Sequence, residues 1–247
     1  MAILRVENLN KNFGGLSAIR NVQLEFQENE LCSLIGPNGA GKTTFFKMIM
    51  GLHSPTSGKI FFKNREITNF PTHQISRLGI CQTFQILSIF PNLSVMENIR
   101  IAIQSKTKCN FDFFRSASRY EQLKQQARDI IGDVHLTGRE SNLAKNLSYG
   151  EKRRLEIGIT LARSPDLILL DEPTAGMAHD EIIDTMKLIQ SISQRKTLLM
   201  VEHNIDVVFS LSSRIVVLNR GEVIADGVPQ KIREDEKVQK AYLGGIE

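Results

Sequence analysis

The sequence predicts an α/β protein in which a core of parallel strands is split by a mostly helical insertion. Three features lead there. A strand-like run at 31–35 enters a glycine-rich loop, Gly36-Pro37-Asn38-Gly39-Ala40-Gly41, and a helical pattern follows from about Lys42 to Met50. Short apolar runs at 167–170, 197–201 and 215–218 have the length and composition of buried parallel strands, with helical patterns between them. From about Ser94 to Arg163 the periodicity is mostly helical, without a convincing strand.

The remaining elements follow in order. Runs at 3–6 and 22–26 are strand-like and precede the glycine-rich loop. Pro55-Thr56-Ser57-Gly58 is a turn signal, and 59–63 alternates like a strand. Ser94-Val95-Met96-Glu97 has the spacing of a capping box, so a helix is expected to start at Ser94. A polar, charge-rich helix is expected from Ser118 to about Val134. Another begins after Leu147-Ser148 and stops at Ser164-Pro165, because the residue before proline disfavours the helical region. Asn219-Arg220-Gly221-Glu222 reads as a hairpin turn before a strand at 223–225. No internal repeat or low-complexity tract is evident.

Composition excludes several classes. The 247 residues can bury a sizeable core, and 41% hydrophobic with 23% charged residues argues against disorder and against a disulfide scaffold. No apolar run approaches the roughly 18 residues of a membrane helix. Arg5 and Glu7 stand too early for a secretory leader, so neither a membrane span nor standard export is expected. The net charge of +4 is small, and no nucleic-acid partner is expected. The clearest basic cluster, Lys152-Arg153-Arg154, adjoins Glu151 and Glu156; it is expected to be a solvated helix face, with nucleic-acid or lipid contact as the alternative. Cys32, Cys81 and Cys109 form no Cys-x-x-Cys pair, which fits a reduced setting with Cys32 and Cys81 as small core residues.

Two segments carry chemistry. Residues 36–43 match G-x-x-x-x-G-K-[ST], a phosphate-binding loop. Gly36, Gly39 and Gly41 let backbone N–H groups approach phosphates, with Pro37, Asn38 and Ala40 completing the loop. The helix that follows presents its positive end to the same anion. Lys42 is expected to reach the β- and γ-phosphates, Thr43 to ligate Mg²⁺ and Thr44 to touch the α-phosphate. The second segment is the apolar run at 167–170 ending in Asp171-Glu172. Ligands of α/β sheets bind beyond strand C-termini. Asp171 is therefore expected to hold Mg²⁺ through its water shell, and Glu172 to orient or deprotonate an attacking water.

Leu147-Ser148-Tyr149-Gly150-Glu151 completes a set that closely resembles the ATP-binding cassette ATPases, over essentially the whole chain. The family's commonest signature is Leu-Ser-Gly-Gly-Gln; this chain departs from it at Tyr149 and Glu151 and keeps Ser148 and Gly150. The resemblance implies a P-loop (RecA-like) nucleotide-binding core with an N-terminal antiparallel β subdomain and an inserted α-helical subdomain. It implies one domain over 1–247, with the nucleotide core at 1–85 and 165–247 and the helical subdomain at 86–164. It also implies ATP and Mg²⁺ as cofactors, and Ser148 and Gly150 contacting the γ-phosphate held by an opposite subunit. Gln85, in Thr83-Phe84-Gln85, resembles the glutamine that touches Mg²⁺ or water and senses the membrane partner. His203, in Val201-Glu202-His203-Asn204, resembles the switch histidine at the γ-phosphate. Phe13 resembles the aromatic that stacks on adenine, a core phenylalanine being the rival reading. Where the family usually has an aspartate that couples the two ATP sites, this chain has Ala178.

Within the family, Phe13-Gly14-Gly15-Leu16-Ser17-Ala18, Ala175-Gly176-Met177 and Val201-Glu202-His203-Asn204-Ile205-Asp206 look like the ATPases of bacterial branched-chain amino-acid, urea and amide importers. That resemblance implies integral-membrane permease subunits, a second cassette as homo- or heterodimer partner, and an indirect link to an extracytoplasmic solute-binding protein. It places the chain at the cytoplasmic face of the inner membrane. The closing Tyr242-Leu243-Gly244 is shared with the ATPase of lipopolysaccharide export, the nearest rival, and a soluble non-transport cassette is a further alternative. The apolar stretch 86–93 after Gln85 is expected either to tuck into the core or to cover a permease-binding surface.

Overall fold

A computed structural model describes residues 1–83, 88–105 and 117–243. The chain runs β1 (Ala2–Phe13), β2 (Leu16–Gln27), β3 (Leu31–Ile35), α1 (Lys42–Ile49), β4 (Ser57–Phe62), β5 (Arg65–Glu66), α2 (Thr72–Leu78) and β6 (Ile80–Gln82). It continues with α3 (Val95–Ser105), α4 (Ala117–Asp133), a 3-10 turn at Ala144–Asn146, α5 (Tyr149–Ala162), β7 (Leu167–Asp171) and α6 (His179–Ser193). The last elements are β8 (Thr197–Val201), α7 (Ile205–Leu211), β9 (Arg214–Asn219), β10 (Glu222–Gly227), α8 (Pro229–Glu234) and α9 (Glu236–Leu243).

The strands form two sheets. One is antiparallel, in the order β2-β1-β4-β5. Its first two strands are each 12 residues long, far longer than the short runs read from the sequence. Register shifts along the β1–β2 pair, with Asn8 and Asn21 at φ 47° and 45°, break the alternation that would have marked them. The other sheet has the order β10-β9-β3-β8-β7-β6, parallel except for the β9–β10 hairpin. That hairpin turns through Arg220 and Gly221, both in the left-handed region, as a type I′ turn requires. Lys63 and Asn64 make the same kind of turn between β4 and β5, which lysine at the first position concealed.

Burial on both faces explains the unbroken apolar strands. Every residue of β3, β7 and β8 is buried. Alternate side chains feed separate cores: Leu167, Leu169, Leu199 and Val201 pack with Phe45, Phe46, Met48 and Ile49 of α1. Ile168, Leu170, Leu198 and Met200 pack instead with the inserted helices, through Val95, Ile99, Ala127, Leu155 and Ile157. A third cluster joins Ile35, Val208, Ile215 and Val217 to Ile232 of α8. The insertion is thus anchored on one face of the sheet and α1 on the other.

Two of the inserted helices are capped as their sequences predict. Ser94 and Glu97 exchange bonds at the start of α3. Ser148 and Glu151 do the same at α5, so the residue standing where glutamine is commonest in the family serves as a helix cap. Cys32 and Cys81 are buried, and burial pushes the Cys32 thiol well above its usual range. Cys109 lies outside the described residues. No helix among the described residues is long and apolar enough to cross a membrane. The basic cluster at 152–154 corrects an expectation: Arg153 is 2% exposed, so the cluster is not a solvated face. Arg153 lies on the same stripe of α5 as Glu156, Ile157 and Thr160, all buried.

Phe46 is fully buried where α1 meets the parallel sheet. Phe46→Ala should lower the unfolding free energy by about 3–5 kcal/mol, read from urea denaturation.

Candidate active site

The glycine-rich loop leaves the end of β3 and enters α1 directly. A side chain at Gly36 is impossible, because a Cβ there would lie 2.0 Å from the carbonyl oxygen of Leu218. The loop therefore closes against β9. Lys42 is buried, and its Nζ donates to the carbonyls of Gly36 at 2.6 Å and Pro37 at 3.1 Å. Burial pulls the Lys42 pKa down, and the charges of Glu172 and Asp171 oppose that shift.

A cavity of about 670 Å³ opens over the loop. Asn38, Gly39, Ala40, Gly41, Lys42, Thr43 and Thr44 line one side, Glu172 and His203 another, and Phe13 the rim. Phe13 is 43% exposed and is not a core residue. The His53 ring meets it edge-on at 5.4 Å, and Lys11 Nζ lies 4.9 Å from its centroid, leaving a flat aromatic at the mouth. Ser17, Arg20 and Arg220 also border the cavity, and no local motif marks them as site residues.

The acidic strand end lies beside the loop. Asp171 is buried, and burial followed by the charge of Glu172 raises its pKa. Gln82 Nε2 reaches its Oδ2 at 3.4 Å. Glu172 adopts φ 47°, an uncommon conformation for a residue with a Cβ. Its N–H donates to the carbonyl of Val201 at 2.8 Å, and its Oε1 lies 2.9 Å from His203 Nε2. The His203 loop is held in turn by buried Glu202, which accepts from the backbone of His203, Asn204 and Thr174 and from the Thr174 hydroxyl.

The other sequence-derived residues fall elsewhere. Gln85 lies outside the described residues; nearby Thr83 is buried and donates its N–H to Leu169. Ser148 and Gly150, at the start of α5, do not line the cavity of their own chain. Their outward donors are engaged by Glu181 of α6: Ser148 Oγ at 2.8 Å and Gly150 N–H at 3.1 Å. A Cβ on Gly150 would lie 2.8 Å from the Glu181 carboxyl, so a side chain there would make that carboxylate shift. These bonds, Ser148 first, hold the Glu181 pKa below the usual carboxylate range.

Arg153, Glu181 and Glu202 were not expected to matter. Arg153 had a readable signal: with Glu156 three residues on, it forms an opposite-charge pair on a stripe that continues into Ile157 and Thr160. The bonds from Glu202 to Thr174 and from Glu181 to Ser148 had none, because each spans a long sequence separation.

Comparison with known proteins places these features in a family. Residues 19–175 match the model described as ABC transporter, and residues 222–247 match that of the branched-chain amino acid ATP-binding cassette transporter. The chain is 38% identical to the high-affinity branched-chain amino acid transport ATP-binding protein BraF of Pseudomonas aeruginosa, over 98% of both chains. It is 36% identical to LivG of Escherichia coli, again over 98% of both. It is 35% identical to the lipopolysaccharide export system ATP-binding protein LptB of Haemophilus influenzae, over 99% of this chain and 98% of the relative. Among solved structures, the ADP conformation of the cassette MJ1267 superposes with a TM-score of 0.86 at 28% identity, over 99% of each chain. The dimeric cassette MJ0796 superposes with a TM-score of 0.77 at 26% identity, over 92% of this chain and 98% of that one. With its family model spanning the phosphate loop through the acidic strand end, the chain belongs to the ATP-binding cassette ATPases of ABC transporters.

Proposed function

We propose that this chain is the ATP-hydrolysing subunit of a bacterial importer of branched-chain amino acids or a related small solute. The carrying observation is the joint one. Lys42, Glu172 and His203 share one cavity, and the chain matches branched-chain amino-acid transport ATPases from end to end. We take residues 1–85 and 165–247 as the nucleotide core and 86–164 as the helical subdomain. The export ATPase at 35% identity supports the rival reading. Loss of labelled leucine, isoleucine or valine uptake on deleting the gene supports the importer. Unchanged uptake with a defective outer-membrane lipopolysaccharide layer supports the exporter.

In this reading ATP lies along the loop of residues 36–41. Phe13 offers its face to adenine, Thr44 meets the α-phosphate, and Lys42 exchanges the carbonyls of Gly36 and Pro37 for β- and γ-phosphate oxygens. Thr43, Asp171 and Gln85 would hold Mg²⁺. The donors fit: Asp171 and Glu172 are adjacent carboxylates, and burial together with the charge of Glu172 disfavours the ionised form of Asp171, which a hard cation with oxygen ligands would offset. Among the described residues no cluster of three His, Cys, Asp or Glu could bind a metal alone, which suits an ion held largely by phosphates and water. When bound, Mg²⁺ offsets phosphate charge. Glu172 accepts the proton of the attacking water, and His203, at hydrogen-bond distance from Glu172, contacts the γ-phosphate. Ser148 and Gly150 complete the site of a partner cassette, whose γ-phosphate displaces the Glu181 carboxylate from the same two donors. The partner is a second copy or a related chain, and both sit on permease subunits at the cytoplasmic face of the membrane.

The permease surface is proposed around the segment after Gln85. Ile89 is half-buried against the helical core, whereas Phe90 is 53% exposed. Asn98 fixes the Phe90 backbone through both its N–H and its carbonyl, at 2.8 and 3.0 Å.

Glu172→Gln should keep ATP affinity and lose most turnover, since the contacts survive and the base does not. Lys42→Ala should weaken ATP binding as well; wild-type turnover by Glu172→Gln would refute the base assignment. A mixed pair carrying Lys42→Ala in one chain and Ser148→Arg in the other concentrates both lesions in one site. Its activity should exceed that of either doubly lesioned pair, and full activity of a strictly monomeric preparation would exclude a shared site. Phe90→Ala should loosen permease binding in a pull-down while leaving ATP affinity of the subunit unchanged.

A further inference from the structure

A buried ion pair connects the signature helix to the backbone beneath Glu172. The side chains of Arg153 and Glu156 are each 3% exposed and meet at 2.7 Å. The other arm of the guanidinium, Nη2, donates to the carbonyl of Asp171 at 2.5 Å and to that of Glu172 at 2.9 Å. Glu156 also accepts from the N–H of Ser88 at 3.3 Å. Ser88 and Glu156 border a second cavity, about 810 Å³, between α2 and α5. One continuous set of polar contacts therefore runs from that cavity, through Glu156 and Arg153, to the two residues at the end of β7.

The chemistry suits a clamp. Guanidinium keeps its charge and offers donors in a rigid fork, so it fixes the relative position of everything it binds. Removing two charges from water is costly, and an apolar pair of the same volume would often serve stability equally well. What an apolar pair cannot supply is two hydrogen bonds to consecutive carbonyls at a left-handed glutamate. Arg153 also lies only five residues, about 7.5 Å of helix, beyond Ser148.

We propose that Arg153 is a positioning residue for Glu172, held in place by Glu156, and that it makes the orientation of the base depend on the placement of α5. The proposal rests on the reading of Glu172 as the base. A shift of α5 as Ser148 engages a partner's phosphate, or a shift of the Ser88 segment, then reaches Glu172 through one rigid side chain.

Arg153→Lys tests it, because a single ammonium cannot reproduce the fork. In the full-length chain kcat should fall roughly 10- to 100-fold, the scale of an ångström-sized misplacement, with the KM for ATP little changed. In a Glu172→Gln background the same substitution should subtract almost nothing from the residual single-turnover rate, since both lesions act through one group. A merely structural role would instead lower both backgrounds by the same factor. Hydrogen–deuterium exchange across residues 170–176 should accelerate while exchange in α1 stays at the parent rate, and this readout needs no turnover. Should Arg153→Lys fail to fold, Glu156→Gln, which keeps an acceptor and removes the charge, should give a smaller loss confined to kcat. Parent-like kcat and parent-like exchange in a folded variant overturn the proposal, as does a loss confined to KM. If Glu172→Gln hydrolyses ATP at the parent rate, the base assignment has failed, and the exchange measurement alone then shows whether Arg153 holds this backbone.

Discussion

The site depends on keeping one glutamate in a conformation it does not favour. A non-glycine residue in the left-handed region costs about 1–3 kcal/mol and persists only where its surroundings over-determine it. At Glu172 they do so from three directions. Val201 takes the N–H, Arg153 holds the carbonyl, and His203 meets the carboxylate. Each contact comes from a different element: β8, α5 and the loop before α7. The conformation of one residue thereby depends on the docking of the helical insertion, the register of β7 with β8, and the loop that Glu202 organises.

That register is itself a consequence of burial. In β7 and β8 successive side chains enter different cores, so a slip of one residue would exchange two packed layers at once. The pairing of Asp171 with Val201 therefore brings both strands to an end at the same level. Beside them β3 delivers the phosphate loop, closed against Leu218 where Gly36 leaves no room for a side chain. Strand ends, loop and helix N-terminus converge because the sheet is parallel and covered on both faces.

Much of this was legible in the sequence where the determinants are local. The phosphate loop, the strand ending in Asp171-Glu172 and the caps at Ser94 and Ser148 each lie within a few consecutive residues, and each is governed by backbone sterics or local hydrogen bonds. Beyond that range legibility falls. The two N-terminal strands extend well beyond their apolar runs because left-handed asparagines interrupt their alternation. β6, three residues long, has no period to detect. The charge of Arg153 predicts a surface cation; only its helical stripe, shared with Ile157 and Thr160, speaks for burial. Glu202 binding Thr174 and Glu181 binding Ser148 connect residues 28 and 33 apart, and nothing local specifies either bond.

The Glu181 contact also reframes the departure at Ala178. In the resemblance, an aspartate at that position couples two sites; here alanine removes its charge. A carboxylate nevertheless reaches the signature, three residues further on. Its place in the first turn of α6 favours negative charge there, and Ser148 and Gly150 stabilise the ionised form further. The start of α5 is consequently supplied with an anion by its own chain, which takes the Ser148 hydroxyl and the Gly150 N–H. In the proposed reading, a phosphate arriving from a partner would meet a site already organised for an oxyanion. Its net gain would be the difference between phosphate and carboxylate at the same two donors, rather than the full value of those bonds. Pairing of two such chains would then be set by that difference, which keeps the association responsive to whether ATP is present.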